Sequence, residues 1–210
     1  MNGQTSVIYE DEDLVALNKP PAALFDWALE RRPELLPVHR LDKDTSGIIL
    51  FAKTPEAQQR LRQMLQQNKV KKTYLALVVG ELKRKEGIIE LPIGRSKKIP
   101  LKRVAIGAKR GKIREAVTKY KLVKRFRGFT LVEIYPKTGR THQIRSHFTA
   151  IGHPIVCDKL YAGKKFICPG ALARQFLHAA AVELTLPSGG RLRLEADLPE
   201  DLTSTLTQIQ

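Results

Sequence analysis

Val38-His39-Arg40-Leu41-Asp42-Lys43-Asp44-Thr45-Ser46-Gly47-Ile48-Ile49-Leu50-Phe51-Ala52 joins a charged loop to an apolar run. The run from Ser46 to Ala52 is apolar at both alternating sets of positions, which predicts a central strand covered on both faces. The loop ahead of it hangs from a rigid element, a common setting for catalytic side chains. Arg40 and Asp42 stand two residues apart, so in an extended segment they share a face and point toward one cavity. Taken alone, the same residues also fit a surface turn in which Asp42 and Asp44 cap backbone groups and Arg40 pairs with them.

Before this stretch, Val7-Ile8-Tyr9 and Leu14-Val15-Ala16-Leu17 flank an acidic turn and predict a hairpin. Asn18-Lys19-Pro20-Pro21 ends its second strand, because proline removes a ladder donor. After it, Thr54 and Pro55 have the chemistry of an N-cap and a first helical residue. Ala57, Leu61, Met64 and Leu65 then recur at helical spacing. Lys71 to Gly80 reads as a strand with Tyr74 on the face of Ala76 and Val78. Gly87 to Ile93 reads as a short strand. Glu115 to Val123 and Gly128 to Tyr135 read as an antiparallel pair joined through Lys124-Arg125-Phe126-Arg127.

A helix is expected from Thr141 to Ile151, with Ile144, Phe148 and Ile151 as its buried stripe and Gly152 as its C-terminal cap. His142, Arg145 and Thr149 form an adjoining polar face, which places Arg145 near an exposed amino-terminal end where anions are favoured. Asp158 to Gly163 reads as loop. Leu177 to Leu186 and Arg191 to Leu194 read as a last hairpin around Pro187-Ser188-Gly189-Gly190, and Pro199-Glu200-Asp201 starts a terminal helix.

The chain of 210 residues suffices for one substantial core, so residues 1–210 are expected to form a single domain. No run of about 18 apolar residues suggests a membrane span, and Met1 to Gln4 does not read as a secretory leader. Cys157 and Cys168 have neither metal-motif nor disulfide-framework spacing, which reads as two idle thiols in a reducing cytoplasm.

Charge is more informative. Lys and Arg number 37 against 21 Asp and Glu, a net of +16, and residues 82–127 alone hold 17 Lys or Arg against 3 Glu, a net of +14. Such a concentrated excess calls for a polyanion. No amphipathic basic helix of the membrane-surface type accompanies it, so nucleic acid is the expected partner. Gly107-Ala108-Lys109-Arg110-Gly111-Lys112 lacks the GxxxxGK[ST] pattern of nucleotide hydrolysis. It reads instead as part of a flexible basic loop or hairpin, Gly94 to Lys112, tracking a nucleic-acid backbone. The histidines form no metal motif; His39, His153 and His178 read as hydrogen-bonded structural groups. Neither a dinucleotide loop nor a Ser-His-Asp or Cys-His set stands out. No metal or cofactor is indicated.

His39-Arg40-Leu41-Asp42, two further residues, then Thr45-Ser46-Gly47 resembles the signature of the RluA family of pseudouridine synthases. Lys72-Thr73-Tyr74, Thr138-Gly139-Arg140-Thr141-His142-Gln143-Ile144-Arg145 and Gly152-His153-Pro154-Ile155 come next in the family's order, with Leu177-His178-Ala179 as a weaker fifth block. The resemblance implies an α/β (α+β) fold with a large mixed, mainly antiparallel sheet, flanking helices and a central cleft. It also implies isomerisation of uridine without a cofactor. Asp42 would be nucleophile or base, Tyr74 would pack against the uracil, and Arg145 would compensate the charge of an enclosed aspartate. Arg40 would fill the stack left by a flipped uridine or hold its flanking phosphate. His39, Arg140, His142 and Gln143 are the further substrate-binding candidates of the matching blocks.

The partner implied is ribosomal or transfer RNA in the cytoplasm, with no obligate protein partner, and the separate S4-type amino-terminal RNA-binding module of many relatives is not expected. The family usually has glycine where Cys157 stands, which puts the local turn in question. Two other readings compete: a non-catalytic RNA-binding or ribosome-assembly protein, which would not need Asp42, and a glycosidase or nucleosidase using Asp42 and Asp44, which would release free uracil.

Overall fold

Every residue from Ser46 to Ala52 is buried, as unbroken apolar character requires of a strand covered on both faces. The structure is a computed structural model that describes residues 6–24, 26–107, 109–186 and 189–210. Met1 to Gln4, Ala108 of the basic stretch, and Pro187 and Ser188 of the last turn lie outside the described residues. In chain order the elements are β1 (Ser6–Glu10), β2 (Leu14–Lys19), β3 (Leu36–Pro37), β4 (Ser46–Ala52), α1 (Pro55–Gln66), β5 (Lys71–Val79), β6 (Glu86–Glu90), β7 (Ile93–Ser96), β8 (Arg103–Val104), β9 (Lys109–Arg114), β10 (Val117–Phe126), β11 (Phe129–Pro136), α2 (Gln143–Ala150), β12 (Leu177–Thr185), β13 (Arg191–Glu195) and α3 (Glu200–Gln208). Two compact units result, one of the residues up to Thr73 with His178–Leu198, the other of Tyr74–Leu177 with Pro199–Gln210. Among the described residues no helix is long and apolar enough to cross a membrane.

In the first unit β1–β2, β2–β4, β3–β4 and β12–β13 pair antiparallel, while β4 and β12 pair parallel, His178 opposite Ser46 and Ala179 opposite Gly47. The fold is therefore of the expected mixed, mainly antiparallel α+β kind. Its core joins Leu14 and Ala16 of β2, Ile48 and Leu50 of β4, Ala57 and Leu61 of α1, and Val182 and Leu184 of β12. The N-cap of α1 is as read: Thr54 Oγ1 accepts from Ala57 N at 3.1 Å, with Pro55 as the first helical residue. Gly47 is required where it stands, with φ +108° and an added Cβ falling 2.2 Å from the Ala179 carbonyl oxygen.

In the second unit β5–β11, β11–β10 and β10–β6 are antiparallel. Strand β10 runs on to Phe126, so the turn is Arg127-Gly128, with Gly128 at φ +80°. A register shift between Leu122 and Lys124 absorbs one residue and lengthens the strand beyond its expected end.

The stretch expected to be a flexible basic loop or hairpin takes the second form, extended to a small antiparallel sheet of order β8-β7-β9. It forms because Ile93 and Ala105 bury themselves with Ala116, Leu91 and Ala150, leaving the basic residues outside. Ser96 Oγ tightens the turn after β7 by accepting from Lys98 N and Ile99 N, each at 3.1 Å.

The expected thiols also differ. Cys157 and Cys168 are joined as a disulfide, with Cα atoms 4.5 Å apart, because the loop between them folds back and Cys157 N donates to Ile167 O at 2.9 Å. Cys157 has φ +61°, the left-handed conformation that glycine adopts freely.

Candidate active site

Asp42 lies in a turn closed by Thr45 N donating to the Asp42 carbonyl at 3.0 Å. Leu41 and Thr45 are buried on either side, Asp42 is half-buried and Arg40 exposed. Two side chains, one distant in sequence and one close by, hold this turn in the first unit. Lys19, with no exposed surface, donates to the carbonyls of Lys43, Pro20 and Ala23 at 2.8, 2.9 and 2.8 Å. His39 accepts from Leu50 N through Nε2 at 3.0 Å, which pins the residue before Arg40 to β4. Burial, then the nearby Lys72 charge, pull the His39 pKa down to about 4, against a hydrogen bond with Arg40 backbone. A neutral ring with a lone pair on Nε2 is what the Leu50 bond requires. His39 is thus engaged with the fold, the structural role its position suggested.

His178 serves the fold of the same unit: Nε2 donates to Ala196 O at 3.0 Å, which leaves Nδ1 to accept from Ser46 Oγ at 2.9 Å. His153, in the second unit, donates from Nδ1 to Val79 O at 2.9 Å.

The second unit holds Tyr74, half-buried on β5 opposite Ile134. It also holds the whole Thr138–Arg145 block. Gln143 is 4% exposed and uses both ends of its amide. Oε1 accepts from Thr138 Oγ1 and Arg140 N, while Nε2 donates to Val117 O and Thr118 Oγ1. The turn before α2 is thereby bolted to β10, and Arg140 Nε adds a bond to Glu115 O at 3.1 Å. Thr118 Oγ1 in turn donates to His147 Nδ1, whose Nε2 donates to Leu91 O; burial holds the His147 pKa below its usual value.

The exposed amino-terminal end expected for α2 is corrected by the structure. The helix starts at Gln143, after His142 at φ +55°, and Gln143 through Phe148 are all buried. Arg145, 7% exposed, makes a two-pronged ion pair: Nε to Asp158 Oδ2 at 2.7 Å and Nη2 to Asp158 Oδ1 at 2.9 Å. A guanidinium held through a fork keeps one orientation. Its flat face lies over Tyr161, Cζ to ring centroid 4.9 Å.

Residues that site reasoning from sequence passed over are therefore Lys19, Asp158 and Tyr161. Lys19 looked like a strand terminator within Asn-Lys-Pro. Asp158 and Tyr161 sat in a segment read as loop, where an acid three residues before an aromatic, straight after the Gly152-His153-Pro154 block, was the available signal.

A sequence model of the family described as RNA pseudouridylate synthase matches residues 8–150. A ribosomal large subunit pseudouridine synthase D of Nitrosomonas europaea is 38% identical over 97% of this chain, and the chain spans 65% of that relative's length. The synthase D of Pseudomonas aeruginosa is 36% identical over 99% of this chain and 72% of its own length. Among solved structures, human RNA pseudouridylate synthase domain containing 1 superposes with a TM-score of 0.79 at 25% identity, covering 93% of this chain and 84% of that one.

Proposed function

The chain belongs to the RNA pseudouridylate synthase family, and from that premise we propose that it isomerises uridine in large-subunit ribosomal RNA, the RNA its relatives are named for. One observation carries the reading: the aspartate of the matching block stands in a turn that Lys19 and His39 fix from behind, while Arg40 beside it faces solvent. A carboxylate is thus offered on a rigid mount, as a reaction driven by one side chain needs.

The isomerisation breaks the glycosidic bond to N1 of the uracil, turns the ring and joins C5 to the ribose; the C5 proton is lost and N1 takes one up, so the product is an isomer of the substrate. Nothing is oxidised or hydrolysed. Asp42 serves as nucleophile or base. Tyr74 packs against the detached uracil and holds it for rejoining. Arg145 is the cation of the reacting set, and its grip by Asp158 keeps it in one orientation. The uridine leaves its stack at a cost of a few kcal/mol, and Arg40 takes up the vacated space or the flanking phosphate. The basic surface of residues 82–127, including β7–β9, draws the RNA backbone and positions more than it specifies. The cytoplasm, where such RNA is assembled, is the proposed site of action.

The test uses ribosomal RNA tritiated at uridine C5, from cells lacking the protein, and follows tritium passing into water. Wild type releases it and Asp42→Asn does not, and sequencing of the product locates the uridine. Tight RNA binding without release by the wild type, on free RNA and on intact subunits, would favour the non-catalytic binding protein; release of free uracil would favour a nucleosidase.

A further inference from the structure

Tyr161 takes no part in the chemistry above, yet several groups of the second unit converge on it. It is 3% exposed. Its hydroxyl accepts from Arg103 N at 2.9 Å and donates to Arg103 O at 2.8 Å, so both main-chain polar groups of one β8 residue are satisfied by one side chain. The single hydroxyl proton is then used, and the 3.1 Å contact with His142 is a donation from Nδ1 to the phenolic oxygen. The His142 ring meets the tyrosine ring edge-on, centroids 5.7 Å apart. Two cations lie over the tyrosine ring, Lys102 Nζ at 4.7 Å and Arg145 Cζ at 4.9 Å.

The backbone that presents this ring is fixed by the acid that holds Arg145. Asp158 Oδ1 accepts from Tyr161 N at 3.1 Å and from Arg145 Nη2 at 2.9 Å, and Asp158 is fully buried. Arg145 therefore has its edge fixed by a carboxylate and its face by a ring that is fixed by the same carboxylate. At its other end that ring holds the basic strand. Arg103 belongs to the small sheet that offers positive charge to RNA, and Lys102 immediately precedes it.

We propose that Tyr161 is a positioning residue that couples the basic sheet to Arg145, so that RNA seating on β7–β9 and the setting of the guanidinium pass through one side chain. The proposal rests on the reading that Arg145 serves the isomerisation. Hydroxyl and ring then do separable work. The hydroxyl fixes β8 and governs RNA affinity; the ring fixes Arg145 and governs the rate once RNA is bound.

Tyr161→Phe keeps the ring and removes both bonds to Arg103. Its KM for tritiated ribosomal RNA rises by about fivefold while the saturating single-turnover rate stays within about twofold of wild type. Amide exchange in the peptide covering β8 becomes faster. Tyr161→Leu removes the ring as well and lowers the saturating rate by about tenfold or more below the Phe variant. Equal saturating rates for the Phe and Leu variants would overturn the coupling, as would unchanged β8 exchange and unchanged KM in the Phe variant. Should Tyr161→Leu fail to fold by thermal melt, the Phe variant alone decides through exchange and KM. A wild type that releases no tritium from any RNA would sink the isomerase reading instead; unchanged β8 exchange and RNA affinity in Tyr161→Phe would then still overturn the tether.

Discussion

Lys19 has no exposed surface and spends its ammonium on three carbonyls, one of them from the residue next to Asp42. Lys19→Met keeps most of the stem's volume and leaves those oxygens without that donor in a dry site, at a cost of about 3 kcal/mol in urea unfolding. Isomerisation by the fraction still folded should fall about tenfold or more, because the turn presenting Asp42 loses its rear support. A stability loss below about 1 kcal/mol would mean that the three bonds are no better than those to water. His39 makes a pH prediction. Its folded pKa, about 4, lies below the unfolded value of about 6.5. Above pH 6.5 neither state holds the proton and nothing is contributed. As pH falls from 6.5 to 4 the unfolded chain takes up a proton that the native ring refuses, so stability declines, by about 3 kcal/mol at the lower end. Buried His147, also shifted down, acts with the same sign. Urea midpoints should hold level from pH 7.5 to about 6.5 and then fall down to pH 4.5 for wild type, less steeply for His39→Gln, which has no such proton to gain.

At the scale of elements, the join of β4 to β12 depends on a missing side chain. Gly47→Ala would place a methyl 2.2 Å from the Ala179 carbonyl oxygen at a backbone φ of +108°. Since that oxygen belongs to the backbone of the paired strand, strands must part, and a loss of about 3 kcal/mol or more is expected. Thr54→Ala, which removes one capping acceptor, should cost only about 1 kcal/mol. Thermal melts of the two variants should separate clearly, and equal losses would refute the close approach. These elements were legible because their causes are local: Thr54-Pro55 starts and caps α1, and β4 is apolar at consecutive positions. Helix α2 was legible in place but not in environment. Periodicity assigned Arg145 to a polar face, whereas Asp158, Thr118 and Tyr161, all brought up by tertiary folding, let polar residues of α2 be buried with partners. The small sheet β8-β7-β9 was legible only as one of two alternatives, a loop or a hairpin, for a related reason. Its apolar anchors, Ile93, Ala105 and Ala116, are scattered among cations, so no alternating run announces a strand.

Across the whole molecule, the ordered blocks around Asp42, Tyr74 and Arg145 made the family readable, but the side chains that hold two of those blocks in place were not. Lys19 precedes its turn by 24 residues and Asp158 lies 13 beyond Arg145. Support of this kind comes from chain closure in space, which spacing within a motif does not encode. Charge, in contrast, needs no fold to be read: a net of +14 within residues 82–127 of a chain at +16 already points to a polyanion. The structure gives that charge a surface on β9, where Arg110, Lys112 and Arg114 are all exposed. Each cation that neutralises a phosphate releases counterions, so the logarithm of RNA affinity falls with the logarithm of salt by about 0.7 to 0.9 per contact. Replacing Arg110, Lys112 and Arg114 together by Gln should therefore flatten the salt slope by about 2 if the sheet lies along the backbone. Affinity should fall alike for target and non-target RNA, because phosphate contacts carry no sequence. The saturating rate of tritium release should stay near that of wild type if these side chains serve only to gather the RNA. An unchanged slope would place the RNA elsewhere on the basic surface, and a rate lost at saturation with the slope intact would make β9 part of the chemistry instead.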